Sequence, residues 1–200
     1  GKILYHPGPA SEAVDLNKNI GKIKKYIGFT PQYNSFYPKL TIKENLLHFG
    51  SMYDLNQETL INNIKSLLNI VKLYEQRNML AEQLSSGMKK RLDLACSLAH
   101  KPRILILDEP TSDLDPSLQN ELLLFLQEVN KQGVTIVIAS HDFESLEKVC
   151  TKIAIIHQNK VHAQGQVDEV RKPFISKQFT INIRPDHDKD NEGDAEQRRN

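Results

Sequence analysis

Residues 84–116 read LSSGMKKRLDLACSLAHKPRILILDEPTSDLDP and decide the fold of this chain. A Ser-Ser-Gly turn precedes a helical segment, and a short apolar run follows at residues 104–107. A run of this kind is typical of a strand buried on both faces of a parallel sheet. Asp108 and Glu109 come next, so the pattern predicts two adjacent carboxylates at the carboxyl end of that strand. In open α/β sheets this edge binds ligands, and carboxylates there can hold Mg²⁺ and orient a water.

Capping signals and apolar periodicity predict alternating helices and strands around this stretch. Thr41 with Glu44 three residues later is a capping-box pattern, and apolar residues recur at helical spacing over residues 57–73. Asp115 and Pro116 are typical of a helix N-cap and the first helical residue. We expect further strands at residues 2–5, 24–29 and 134–139, a loop with about one helical turn at 6–21, and a hairpin over 153–163. The alternation predicts an α/β fold with a parallel sheet covered by helices.

Composition narrows the class of protein. The 200 residues are 39% hydrophobic and carry a formal net charge of only +1, so no nucleic-acid partner is expected. Lys89, Lys90 and Arg91 are interpreted as a solvated helix face. Cys96 and Cys150 are interpreted as buried small apolar residues, which fits a reducing compartment. No apolar run approaches the roughly 20 residues that cross a bilayer, so a membrane link is expected to come through a partner.

Motifs in a fixed order resemble those of the ATP-binding cassette (ABC) ATPase family. Gln32 within FTPQYNSF resembles the Q-loop of that family, and LSSGMKKR at 84–91 resembles its signature motif. ILILDEP at 104–110 resembles a Walker B motif with its catalytic Glu, and ASHD at 139–142 resembles the H-switch. SDLDP at 112–116 matches the D-loop. The resemblance extends from about residue 1 to about residue 170.

The resemblance implies a role for each matched residue. It assigns catalysis to Glu109, His141 and Gln32, metal coordination to Asp108 and Gln32, and contact with the nucleotide of an opposing subunit to Ser85, Ser86, Gly87 and Asp115. Simpler alternatives are ordinary helix caps at Ser85 and Asp115, and a polar loop residue at Gln32. His141 at a strand end has a purely structural alternative as well.

Two positions depart from the pattern of the family. Ser86 stands where the family usually has Gly, and its Cβ would restrict a backbone that needed a positive φ. Asp113 replaces a residue that is usually small, and its extra carboxylate would weaken dimer closure near phosphate charge.

The resemblance also implies a fold and its boundaries. The sequence contains no G-x-x-x-x-G-K-[ST] phosphate loop. We therefore expect a P-loop NTPase-like ABC ATPase fold with a parallel sheet core and a helical insertion subdomain, incomplete at the N-terminus, and inactive as this chain alone. The expected parts are an N-terminal part of the ATPase core at 1–37, the helical subdomain at 38–83, the remaining core at 84–172, and a C-terminal extension at 173–200 that is disordered from about 184.

The function implied is that of an ATP-binding and hydrolysing subunit of an ABC transporter, with ATP and Mg²⁺ as cofactors. Met88 in GMKKR is similar to the subgroup that serves drug, antibiotic and lipid exporters. The expected partners are a transmembrane permease and a second nucleotide-binding domain, at the cytoplasmic face of a membrane. Two alternatives stay open: a soluble ABC ATPase that acts on nucleic acid or ribosomes, and a catalytically degenerate cassette with a regulatory or dimerisation role.

Overall fold

The structure is a computed structural model that describes residues 2–6, 11–53 and 55–172. It divides into two compact units, Gly1–Cys150 and Thr151–Asn200. The expected C-terminal extension at 173–200 lies outside the described residues. The subdomain boundaries taken from the sequence stay a prediction.

The first unit alternates strands and helices, as the sequence predicts. Its strands are β1 (Leu4–Tyr5), β2 (Val14–Asp15), β3 (Ile27–Thr30), β4 (Ile104–Asp108) and β5 (Thr135–Ala139). Its helices are α1 (Leu16–Ile23), α2 (Ile42–Ser51), α3 (Gln57–Ile70), α4 (Ser86–Leu98), α5 (Pro116–Lys131) and α6 (Phe143–Val149).

Strands β3, β4 and β5 form a parallel sheet in that order, which confirms the predicted fold class. Thr30 pairs with Leu107, and Asp108 pairs with Ala139. The carboxyl ends of all three strands therefore meet at one edge. Whatever follows Thr30, Asp108 and Ala139 in the sequence is brought together there.

Only one face of this sheet is fully buried. Leu105 and Leu107 have no exposed surface, whereas Phe29 and Val137 are 56% and 51% exposed. Phe29, Ile106 and Val137 lie side by side in the register, on the other face. The expectation that these strands are buried on both faces is therefore wrong for the part of the chain that is described.

The N-terminal segment also differs from the sequence prediction. Residues 6–21 hold more than a loop, since β2 pairs antiparallel with β1 and leads into α1. The Asp15 side chain accepts a hydrogen bond from the Asn17 backbone N–H at 3.0 Å, which caps α1. The expected strand at 24–29 begins later, because Lys24–Tyr26 forms a 3₁₀ turn ahead of β3.

The helical insertion has the elements that the sequence predicts. Thr41 and Glu44 form the complete capping box at the start of α2, and the periodic segment from residue 57 is α3. Both helices contribute to one continuous apolar core with α4, α5 and the sheet. Cys96 is buried in this core, while Cys150 is half-buried.

Gly28 marks a close approach between β3 and α4, and Gly28→Ala is expected to destabilise the fold. An added Cβ would lie 2.4 Å from the Ser97 carbonyl oxygen and 3.1 Å from Leu105 Cδ1. Backbone cannot yield as a flexible side chain does, so we expect a loss of about 1–3 kcal/mol or more in the free energy of unfolding. Urea unfolding of the chain measures it.

Gly21→Ala is the matched control. Gly21 is within α1, and apart from its chain neighbours and the backbone of its own helix, no atom of the described residues lies within 4 Å of a Cβ placed there. Alanine there should gain up to about 1 kcal/mol through helix propensity. Equal unfolding midpoints for the two variants would contradict the packing argument.

The second unit contains the predicted hairpin. Strand β6 (Lys152–His157) pairs antiparallel with β7 (Lys160–Gln166), and α7 (Val167–Arg171) follows. Gln158 and Asn159 both have positive φ, +47° and +60°, as a type I′ two-residue turn requires.

Candidate functional site

The candidate site lies at the carboxyl edge of the parallel sheet. Glu109 directly follows β4, and its backbone N–H donates to the Ala139 carbonyl at 2.9 Å, which extends the strand pairing by one residue. Its φ is +46°, in the left-handed region that non-glycine residues rarely adopt. Such a conformation is costly and persists only where neighbouring groups hold it.

The carboxylate of Glu109 is bound by the residues that follow β5. Oε1 accepts the His141 backbone N–H at 3.0 Å and lies 2.8 Å from His141 Nδ1. Oε2 accepts the Ser140 hydroxyl at 3.1 Å. The structure therefore brings together two residues, Glu109 and His141, that are 32 positions apart in the sequence.

This contact changes the acid–base properties of both side chains. Partial burial opposes ionisation of Glu109, but hydrogen bonds from His141 and Ser140 outweigh it and lower the pKa of the carboxyl. The same contact raises the pKa of His141, first through the hydrogen bond and then through the negative charge of Glu109. Glu109 is thus held as a carboxylate, the form that accepts a proton.

A recess of about 500 Å³ opens beside this pair. It is lined by Glu109, Thr111, Ser112, Asp113, Gln119, His141 and Asp142. Three of these side chains are carboxylates, so the walls are negative. An anionic phosphate would be repelled there unless a cation accompanied it.

Asp108 and Gln32 lie at the same edge of the sheet. Asp108 ends β4 and is exposed, while Gln32 is exposed in the loop two residues after Thr30, the end of β3. Within the described residues, no hydrogen bond joins Gln32 to Glu109 or His141. Gln32 therefore lies on the loop at this edge of the sheet, and its catalytic and metal-binding roles stay a prediction.

The Ser-Ser-Gly turn forms the start of α4. Ser85 is the N-cap, and its hydroxyl accepts the Met88 backbone N–H at 3.3 Å. Ser85 and Ser86 are exposed, whereas Gly87 is buried. A Cβ on Gly87 would lie 2.9 Å from Leu118 Cδ1, so this glycine allows α4 to pack closely against α5.

Ser86 does not carry the backbone restriction that the sequence suggested. It is the first residue of α4, and it is absent from the residues with positive φ in the described chain. The expectation that its Cβ opposes the local backbone is therefore wrong, because the turn is already helical at this position.

Ser86→Gly is accordingly expected to destabilise the helix. Glycine would cost up to about 1 kcal/mol here, because it loses more conformational freedom in a helix than other residues do. Ser86→Ala should change the free energy of unfolding by less, since alanine favours a helix. Thermal melts of the two variants measure the difference, and a melting temperature for Ser86→Gly at or above that of Ser86→Ala would contradict it.

The D-loop positions have two separate structural roles. Asp115 caps α5, since its Oδ1 accepts the backbone N–H groups of Ser117 and Leu118 at 3.0 and 3.1 Å. Asp113 has a φ of +60° and faces the recess. The plain capping role of Asp115 is thus present in the structure, whatever else the residue does.

The sequence interpretation missed Lys90 and Ser140. Lys90 is only 6% exposed, and Arg91 pairs with Glu121, so the solvated face proposed for residues 89–91 is wrong. Lys90 precedes the apolar residues Leu94 and Leu98 by four and eight positions, a helical spacing that could have placed it on the inner face. Ser140 had no comparable signal, since its partner Glu109 is known only from the fold.

Comparisons with known proteins identify the family of this chain. The ABC transporter family profile matches residues 1–112. The linearmycin resistance ATP-binding protein LnrL of Bacillus subtilis (strain 168) is 37% identical over 150 residues, which are 75% of this chain and 48% of that protein. The probable multidrug ABC transporter ATP-binding protein YbhF of Escherichia coli (strain K12) is 33% identical over 158 residues, 79% of this chain and 27% of that protein.

A solved structure shares the fold. It is cbiO1 from Clostridium perfringens, part of the ABC transporter complex cbiONQ, with a TM-score of 0.72 and 26% identity over 84% of this chain and 70% of that one. The chain belongs to the ABC transporter family. It spans about half of the length of LnrL and about a quarter of YbhF. None of the helices within residues 2–6, 11–53 and 55–172 has the length and apolarity that crossing a membrane requires.

Proposed function

We propose that this chain forms the ATP-hydrolysing part of an ABC transporter that exports its substrate. The observation that carries the proposal is the Glu109–His141 pair at the carboxyl edge of the sheet, with Asp108 directly before it. A degenerate cassette would have no need to keep both members of this pair in contact. The family and the names of the resistance and multidrug relatives support transport, and export in particular.

In this proposal Glu109 is the general base. Its carboxylate is ionised and its oxygens are directed by Ser140 and His141, so one of them can accept a proton from an attacking water. His141 is largely exposed, with 86% of its side chain open to solvent. Its Nδ1 donates to Glu109, and the same contact raises the pKa of the ring, so the protonated ring can also donate from its second nitrogen to a phosphate oxygen. Gln32, on the loop at the same edge, would orient the water.

The residues present fit the Mg²⁺ that accompanies ATP. Asp108 offers an exposed carboxylate and Gln32 an amide oxygen, and oxygens of both kinds bind Mg²⁺ in proteins. The described residues hold no cluster of three or more His, Cys, Asp or Glu side chains placed for a metal, and Mg²⁺ commonly needs only one or two protein ligands besides phosphate and water. When bound, the metal neutralises phosphate charge, which the acidic recess requires.

We infer that a second nucleotide-binding domain completes the site. The α4 N-terminus presents exposed Ser85 and Ser86, and the positive end of the helix dipole is a favourable environment for an anion. In a head-to-tail dimer, the turn at 85–87 and Asp115 would face ATP held by the other copy. The dimer would bind a transmembrane permease at the cytoplasmic face of a membrane, and closing and opening of the dimer would move the permease.

The test is ATP turnover by the complete protein with its permease. Phosphate release that depends on Mg²⁺ and on the permease supports a transport ATPase. Release that depends on ribosomes or nucleic acid instead would support the soluble alternative. Binding of ATP without any turnover would support the degenerate cassette. Each of these last two results would overturn the proposal.

A further inference from the structure

Helix α4 carries two charged side chains on its inner face. Lys90 is 6% exposed and Asp93 is 1% exposed. They are three residues apart, so they lie on the same side of the helix. Burial of a charged side chain is costly unless partners compensate for it. The two residues contact two different parts of the candidate site.

Asp93 holds the loop that carries Gln32. Its Oδ1 accepts the Ser35 backbone N–H at 2.9 Å and the Ser35 hydroxyl at 2.6 Å. Ser35 is three residues after Gln32. One turn further along α4, Ser97 accepts the Thr30 hydroxyl at 2.9 Å, at the end of β3. The inner face of α4 therefore fixes this loop both where it leaves the sheet and at its middle.

Lys90 reaches the backbone of Glu109. Lys90 Nζ lies 3.5 Å from the Glu109 carbonyl oxygen. The same oxygen accepts the Ser112 backbone N–H at 3.2 Å and the Ser112 hydroxyl at 2.8 Å. These donors hold the left-handed backbone of Glu109. That backbone turns its carboxylate towards Ser140 and His141.

We propose that Lys90 and Asp93 are positioning residues that link the Gln32 loop to the backbone of Glu109 through α4. Neither residue is catalytic, because each acts on the site through a backbone or loop contact. Displacement of α4 would change both contacts together, so the loop and the general base respond as one unit. The inference rests on the proposed function, since it concerns hydrolysis by Glu109.

Kinetics of three variants in the complete protein test the Lys90 contact. Lys90→Met removes the donor and the charge at similar length, and Lys90→Gln keeps a donor without the charge. A modest misplacement of a catalytic group can cost up to about 10²-fold, so we expect Lys90→Met to lower kcat about tenfold with KM for ATP changed less than about twofold. Lys90→Gln should restore kcat to within about threefold of wild type. Lys89→Met, at the half-exposed neighbour, is the control and should match wild type.

Each other kinetic outcome counts against the link. Equal loss in Lys90→Met and Lys90→Gln would mean that Lys90 serves only as a counter-charge. Unchanged kcat in both would remove the positioning role altogether. An inactive wild type would contradict the proposed function instead. The link between Lys90 and Asp93 would then have to be tested by a measurement that does not need ATP turnover.

Hydrogen exchange of the full chain supplies that measurement. Asp93→Ala should speed exchange at the Ser35 amide, and Lys90→Met should speed exchange at the Ser112 amide, each several-fold. The proposal further requires each variant to affect the other site. Effects confined to each variant's own contact would overturn the link. If Lys90→Met or Asp93→Ala does not fold, Lys90→Gln keeps a donor and Asp93→Asn keeps an acceptor. These variants should show smaller changes in exchange at the same two amides. No change at either amide would also overturn the proposed link.

Discussion

Glu109→Gln in the complete protein should abolish ATP turnover while leaving ATP binding intact. The amide is nearly isosteric with the carboxylate, and its oxygen can still accept the His141 backbone N–H that the structure places at 3.0 Å. It cannot take a proton from water, so the expected loss in kcat is on the order of 10²–10⁴-fold. Steady-state phosphate release measures turnover, and nucleotide titration measures binding.

Glu144→Gln provides the control for this substitution. Glu144 is an exposed carboxylate in the first turn of α6, close in sequence to His141, so its change to an amide has the same chemistry outside the pair. It should leave kcat within about twofold of wild type. Near-wild-type turnover by Glu109→Gln would exclude Glu109 as the general base, whatever its contacts.

Acidification should destabilise the chain through His100, which is buried between the helical insertion and the sheet. Its ring stacks on Tyr53 at 3.6 Å, and its Nε2 lies 3.2 Å from the Ile27 carbonyl. Its Nδ1 is buried, with no hydrogen-bond partner among the described residues. Burial lowers the pKa of His100 from 6.5 to about 4, against the opposing effect of the Ile27 carbonyl.

The sign of the pH effect follows from this lowered pKa. Well above pH 6.5 His100 is neutral in the folded and the unfolded chain, so its titration does not change the free energy of unfolding. Between pH 6.5 and 4 the unfolded chain binds a proton that the folded chain does not, so stability falls as the pH falls. The expected loss is about 2 kcal/mol at pH 5 and about 3 kcal/mol below pH 4. Urea unfolding at pH 7.5 and pH 5 measures it.

His100→Phe isolates the contribution of this histidine. Phenylalanine keeps an aromatic ring against Tyr53 but does not titrate, while every other ionisable group remains. The variant should lose about 2 kcal/mol less than wild type between pH 7.5 and pH 5. Identical losses in the two proteins would show that His100 is not a source of acid sensitivity.

Local signals in the sequence predicted much of the fold. The capping box at Thr41 and Glu44, the cap at Asp115 and the hairpin turn all depend on a few adjacent residues, and all are present in the structure. The acids at the end of β4 and His141 at the end of β5 could be placed at one edge because parallel strands align their carboxyl ends. Family resemblance then supplied the roles.

Features that depend on packing between distant segments could not be predicted. The left-handed backbone of Glu109 and the contacts of its carbonyl oxygen with Lys90 and Ser112 have no signal in the periodicity of the sequence. The open face of the sheet was missed because an apolar strand looks the same whether one or both faces are covered. Buried charges on α4 were missed because basic residues near a helix start usually face solvent.

The packing of Gly87 against Leu118 changes how inherited variants of the signature motif should be interpreted. A Cβ at this position would displace the Leu118 side chain, and a residue larger than alanine would press further against α5, so alleles with large side chains at Gly87 are expected to lower the amount of protein in the cell as well as its activity. Alleles at exposed Ser85 remove only a helix cap worth about 1 kcal/mol. They are expected to change the activity of each molecule more than the amount of protein in the cell. Protein abundance therefore has to be measured beside transport before a change at this glycine is attributed to lost contact with nucleotide.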